Sequence, residues 1–331
     1  MINQLQRLKN AKAKKVDGDQ VRYSILSESL GFPLTVKPAM PGLILNDWIK
    51  NNRNAFEEKV NKYGGVLLRG FNINTVEKFE EFTRLYVDTP LEYNMRSSPR
   101  YSVGNNVYHT TTYPAEYSIN MHSESSYAPE HPTNIVFCCI TPAATKGETP
   151  ICDNRLVLAN MSTTTRTKFE SKGVMYVRNL TKELGLPWQE VFQSNSKSEV
   201  EETCQHNGMN FEWKGEDLKL TWTKKAIWQH PLTNESVWFN HAFFFNKYAL
   251  EPEVLSTIAE DEQLPNNTYF GDGSEISQEI IEELREAYNK SMVMFPWEKG
   301  DVLFLDNMLI SHGRNSYTGD RKIITSLFNL Y

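Results

Sequence analysis

The chain has 331 residues, 40% of them hydrophobic and 23% charged, enough apolar material to bury a substantial core and too much for a mainly disordered chain. A formal net charge of −6 and an isoelectric point near 5.8 argue against a nucleic-acid-binding footprint, which needs Lys and Arg gathered in surplus on one face. The four cysteines lack framework or zinc-site spacing, and no segment approaches about 18 uninterrupted apolar residues, so a cytoplasmic protein with reduced thiols and no membrane span is expected.

The basic start MINQLQRLKNAKAKK lacks the apolar stretch of a signal peptide and reads as a solvated leading helix. Residues 47–63 carry apolar positions at helical spacing, and GGVLLRGF follows as a short buried strand. Residues 75–86 again read as helix, with Phe79, Phe82 and Leu85 on one stripe and Asn74 as its cap. Between about 101 and 151 the composition turns to Tyr, Thr, Val and Ile, punctuated by Pro132, Pro142 and Gly147, and IVFCCIT is the clearest buried strand. Residues 154–218 are polar and read as a helical insert, with a capped helix ending at Gly208. AIWQHP and SVWFNHAFFF follow, then a helix over 277–291, a strand in DVLFLDNMLISHG and a last strand in RKIITSLFNLY.

No repeat or low-complexity tract breaks the chain, so one domain spanning 1–331 is expected. Many irregularly spaced short strands with a helical insert favour a mainly β fold with appended helices, built on a sandwich or a jelly roll (double-stranded β-helix). Regular strand–helix alternation is missing, which disfavours a parallel α/β fold.

The chemistry centres on SINMHSESSY. On a strand, residues i and i+2 share a face, so His122 and Glu124 present an imidazole and a carboxylate side by side. Two histidines and one carboxylate on one side of a metal leave positions open, the arrangement of non-haem iron(II) oxygenases. His312, at the end of a strong strand far downstream, is the candidate third ligand. Arg321 follows it at a distance that suits a guanidinium pairing with the far carboxylate of a dicarboxylic acid, and Thr149 in KGETPI is the candidate hydroxyl for that clamp. For substrate contacts the candidates are Asn120, which shares His122's parity, Asn106 and Arg314. His241, inside WFNHAFFF, is the remaining histidine nearest to chemistry, although that aromatic run reads first as core.

These pieces occur in an order that resembles the TauD/TfdA family of iron(II)/2-oxoglutarate dioxygenases, particularly its clavaminate synthase-like branch around the syringomycin aspartate hydroxylase. GGVLLRGF, NNVYHTTTYP, MHSESSYAPEHP, KGETPICDNR, PWQEVFQ, VWFNHAFFF, NTYFGDGSEI, FPWEKGDVLFLDNMLISHGR and GDRK carry the resemblance across most of the chain. It implies Fe(II) held by His122, Glu124 and His312, 2-oxoglutarate held at its far carboxylate by Arg321 and Thr149, and O2 as oxidant. The implied outcome is hydroxylation of an aliphatic carbon in an amino-acid-like small molecule of secondary metabolism, free or attached to a carrier protein. Desaturation and epoxidation stay open, as does a non-catalytic metal-binding jelly roll. Halogenase relatives keep a small residue where Glu124 stands, so halogenation is not expected. Taurine dioxygenase carries His-x-Asp rather than His-x-Glu, which weakens a sulfonate-degrading role. Lys146 stands where relatives often carry the first glycine of a pair.

Overall fold

Two β-sheets sandwich the inner core of the computed structural model, which describes residues 20–86, 95, 102–104, 107–109, 113–182, 185–256 and 264–330. The larger sheet orders Val21–Ser27, Phe32–Pro38, Gly65–Leu68, Val302–Asp306, Pro132–Thr141, Lys322–Leu330, Val107–His109 and Ser102–Gly104. Its pairings are antiparallel except for Phe32–Pro38 beside Gly65–Leu68. The smaller sheet orders Met292–Val293, Ile151–Asp153, Ile310–Arg314 and Ile119–His122. This is the jelly-roll core expected from the sequence.

Side-chain alternation explains why the central strands read as unbroken apolar runs. On Pro132–Thr141, Ile135, Phe137 and Cys139 point into the core between the sheets, while Val136 and Cys138 point outward. Val302–Asp306 repeats the pattern, with Leu303 and Leu305 inward and Val302 and Phe304 outward. The outward face is covered by the helices Leu45–Tyr63, through Trp48, Phe56 and Val60, and Val76–Thr83, through Phe79 and Phe82. Both faces are therefore dry, and continuous hydrophobicity is the consequence. The second helix is capped by Thr75, whose Oγ1 accepts from Lys78 N at 3.3 Å, and not by Asn74, which instead accepts from the Lys78 ammonium at 3.2 Å.

Two sequence expectations are revised. The segment 154–218 is not purely helical: four helices, Asn154–Ala159, Thr163–Lys172, Trp188–Phe192 and Lys197–His206, alternate with strands. Val174–Leu180, Asn210–Lys214 and Asp217–Lys224 join the later Asn266–Phe270 in a four-stranded sheet. The period-2 burial of Val174, Tyr176, Arg178 and Leu180 marks that sheet's covered face. DVLFLDNMLISHG is two strands rather than one, because Asp306 Oδ1 accepts from Met308 N at 2.9 Å and Leu309 N at 3.0 Å and turns the chain from the larger sheet into the smaller. The expected leading helix lies outside the described residues, and no described helix is long and apolar enough to cross a membrane.

Candidate active site

The smaller sheet builds the centre. Ile310–Arg314 pairs with Ile119–His122 so that His312 stands directly opposite His122, with ring centroids 4.4 Å apart. Glu124 lies past the end of its strand, and strand parity alone does not aim it. Asn307, in the turn between the two sheets, does so: its Oδ1 accepts from Glu124 N at 2.7 Å, and its Nδ2 donates to Glu124 O at 2.8 Å and Pro132 O at 2.9 Å. Ser125, at φ 55°, turns the chain just beyond. One ligand atom each from His122, Glu124 and His312 then lies within 4.8 Å of the others.

The donor set suits a divalent transition metal: two borderline imidazole nitrogens and one hard carboxylate on one side, with room left on the other. His122 Nδ1 lies 2.9 Å from Asn120 O. A carbonyl only accepts, so the proton sits on Nδ1 and Nε2 presents its lone pair to the site. Phe244 leans on the His122 ring at 4.5 Å and Phe137 meets His312 edge-on at 5.0 Å, which fixes both imidazoles and excludes water around them. His241 is fully buried behind them, its Nδ1 2.6 Å from Ser126 Oγ, and burial holds it well below the usual histidine range, hence neutral.

A second feature shares the cavity, whose volume is about 380 Å³. Arg321 precedes the last strand, donating from Nε to Gly147 O at 2.9 Å and from Nη2 towards Thr149 Oγ1 at 3.4 Å. Trp297 Nε1 donates to the same hydroxyl oxygen at 3.1 Å. Gly147, at φ 74°, is required here because a Cβ would come within 3.2 Å of Arg321 Cδ and 2.9 Å of Ala143 Cβ. Burial, then the neighbouring charge of Arg314, pulls Arg321 down to about 10, and no carboxylate among the described residues pairs with it. A half-buried cation with no carboxylate in hydrogen-bond contact is a ready seat for an anion.

Of the proposed substrate contacts, Asn120 lines the cavity and donates to Ala249 O at 3.0 Å. Arg314 also reaches the wall, but its guanidinium is engaged by the carbonyls of Tyr113, Pro114 and Tyr117 at 2.8, 2.6 and 2.7 Å, so it braces that loop. Asn106 lies outside the described residues. Sequence reasoning missed Asn307, Trp297 and Asn266, another cavity residue. Only Asn307 left a signal, as half of the polar Asp306–Asn307 pair interrupting an apolar run.

Comparisons with known proteins bear on this geometry. A family profile described as "Taurine catabolism dioxygenase TauD, TfdA family" matches residues 31–327. The chain is 35% identical over 283 residues to the dapdiamide synthesis protein DdaC of Enterobacter agglomerans, covering 84% of this chain and 86% of that one. It is 26% identical over 323 residues to a clavaminate synthase-like protein of Arabidopsis thaliana, covering 91% and 94% respectively. Among solved structures, PvcB of Pseudomonas aeruginosa superposes with a TM-score of 0.56 at 13% identity, covering 96% of this chain and 94% of that one, a likeness of fold.

Proposed function

The chain belongs to the TauD, TfdA family of Fe(II)- and 2-oxoglutarate-dependent dioxygenases, and from that premise we propose that His122, Glu124 and His312 hold the iron while Arg321 and Thr149 hold the far carboxylate of 2-oxoglutarate. The observation that carries the assignment is the presence of the three-donor cluster and the anion-free Arg321 in one cavity. The residues fit both groups: the donors match the metal by type, and the guanidinium and hydroxyl match a carboxylate by charge and polarity. Fe(II) with 2-oxoglutarate and O2 supplies the oxidising power for attack on an otherwise inert C–H bond.

The protein's own share is positional. Asn307 fixes Glu124, Phe244 and Phe137 hold the imidazoles, and Trp297 donates to Thr149 Oγ1, leaving its hydroxyl proton to face Arg321's anion. The apolar wall, including Ile135, Leu250 and Leu264, excludes water from the reacting carbon.

The substrate is a small molecule. Our reading is an amino acid or amino-acid derivative in secondary metabolism, free or attached to a carrier protein, with hydroxylation of an aliphatic carbon as the outcome. It is supported by DdaC, a protein of dapdiamide synthesis, and by PvcB, described as an Fe, alpha-ketoglutarate dependent oxygenase from an isonitrile synthetic pathway. The test is succinate formation from 2-oxoglutarate by iron-loaded protein in air across free, amidated and carrier-bound amino acids. Succinate should rise with one candidate, with product mass increased by one oxygen, and Arg321→Ala should abolish both. A product lighter by two hydrogens would mark desaturation instead, and substrate-independent succinate with all candidates would contradict the substrate class.

A further inference from the structure

Two side-chain amides, Asn120 and Asn266, line the cavity that His122, Glu124 and Arg321 line. Each is locked in orientation by a partner of fixed polarity. Asn120 Nδ2 donates to Ala249 O at 3.0 Å, and because a carbonyl only accepts, the amide oxygen points elsewhere. Asn266 Oδ1 accepts from Arg178 Nε at 3.1 Å, and because a guanidinium only donates, the amide nitrogen points elsewhere. Arg178 is the direct cross-strand partner of Asn266 and is 2% exposed. It is itself held by Met95 O at 3.3 Å and by the Tyr127 ring, 5.5 Å away. Among the described residues, neither Asn120 Oδ1 nor Asn266 Nδ2 has a hydrogen-bond partner in the protein.

The cavity therefore offers one fixed acceptor and one fixed donor set in an apolar collar that includes Phe244, Phe245, Leu250 and Pro265. We propose that this pair reads a neutral amide of the substrate, taking its N–H at Asn120 Oδ1 and its carbonyl oxygen at Asn266 Nδ2. A zwitterion's ammonium and carboxylate could meet the same acceptor and donor, but each would then carry a full charge into the collar against a neutral amide group, with no counter-charge. Arg314 is engaged by three backbone carbonyls, and on the proposed assignment Glu124 is given to the metal and Arg321 to the co-substrate, which leaves no charged side chain of the described wall for the substrate. In such surroundings a charge without a counter-charge is costly, so the cavity selects against zwitterions while the pair matches a neutral amide. The substrate class that follows is an amide-linked amino-acid derivative rather than a free amino acid. This inference rests on the Fe(II)–2-oxoglutarate reading of the same cavity.

The experiment uses the anaerobic full-length protein with Fe(II) and 2-oxoglutarate, whose chelate absorbs visible light and responds when a substrate enters. The probes are N-acetyl amino-acid amides, each paired with its free amino acid. Amides should perturb the absorption with a Kd at least about tenfold below that of their free counterparts. Asn266→Asp, which still accepts from Arg178 but has no N–H to donate, should lose about tenfold in amide affinity, and Asn120→Leu should do the same, each with the starting absorption intact. Free amino acids binding as tightly as amides, no response to any amide, or an unchanged amide affinity in both variants would overturn the proposal. A wild-type chain that never develops the absorption would refute the underlying iron and co-substrate assignment, an outcome distinct from all three.

Discussion

Two hydrogen bonds between the Asn307 carboxamide and the Glu124 backbone set the direction of Glu124, since the strand has already ended at His122, and a third ties the same carboxamide to Pro132 O. Asn307→Leu keeps the volume and removes every partner, leaving buried backbone groups unsatisfied at about 1–3 kcal/mol each. Metal affinity should fall on the order of 10–100-fold, as for other groups that orient ligands. Equilibrium dialysis with Fe(II) measures this, and unchanged affinity in a folded variant would show that Glu124 is held by something else. Beside Gly147, whose carbonyl accepts from Arg321, Lys146 occupies the left-handed region at φ 55°, which costs a side-chain-bearing residue roughly 1–2 kcal/mol. Lys146→Gly should raise the midpoint of thermal unfolding by a few degrees without changing 2-oxoglutarate affinity; a lower midpoint would mean that the lysine side chain stabilises the turn.

At the level of elements, the two ligand strands approach so closely that Gly313 has no room for a methyl group: a Cβ there would lie 2.7 Å from Ile119 O and 3.1 Å from Met121 Sδ. Gly313→Ala should push Ile119–His122 away from Ile310–Arg314, misplacing His122 against His312, at a cost of about 1–3 kcal/mol in stability. Iron retention should fall more steeply than the unfolding midpoint, and a variant that keeps full iron binding would refute the close-packed pairing. The helices and central strands were legible in the sequence because apolar period and length agree there. The break inside DVLFLDNMLISHG was not, since a run buried on both sheet faces has no period to lose and only the polar Asp306–Asn307 pair marks the turn. The same holds for the segment 154–218, where Val174–Leu180 alternates in burial but carries Arg178 and Tyr176 on its covered face and so hides the pattern. His122 and Glu124 were legible as residue types at a spacing, and His312 as a histidine closing a strong downstream strand. Asn266 was not, because its place in the cavity depends on the cross-strand register with Arg178.

At the scale of the whole molecule, buried His131 contributes to the response to acid. Burial pulls His131 down to about 4, where it packs against Phe239 at 4.7 Å. A base whose folded pKa lies below its unfolded value stays neutral in the native state, so its contribution to stability is complete above about 6.5 and is lost as pH falls towards about 4. The loss amounts to about 3 kcal/mol, and His131→Phe should flatten the stability profile over that window, as followed by urea unfolding at successive pH values. An unaltered profile would assign the acid sensitivity to other groups. The jelly roll otherwise serves to bring distant segments, near residues 122, 149, 312 and 321, onto one cavity wall. The most direct test of that convergence is calorimetric binding of 2-oxoglutarate with and without Fe(II) under anaerobic conditions, in wild type, His312→Ala and Arg321→Ala. The wild-type chain should bind one iron and one metal-dependent 2-oxoglutarate, His312→Ala should lose both, and Arg321→Ala should keep iron without tight 2-oxoglutarate. Tight 2-oxoglutarate binding that ignores the metal, or that survives in Arg321→Ala, would contradict that convergence.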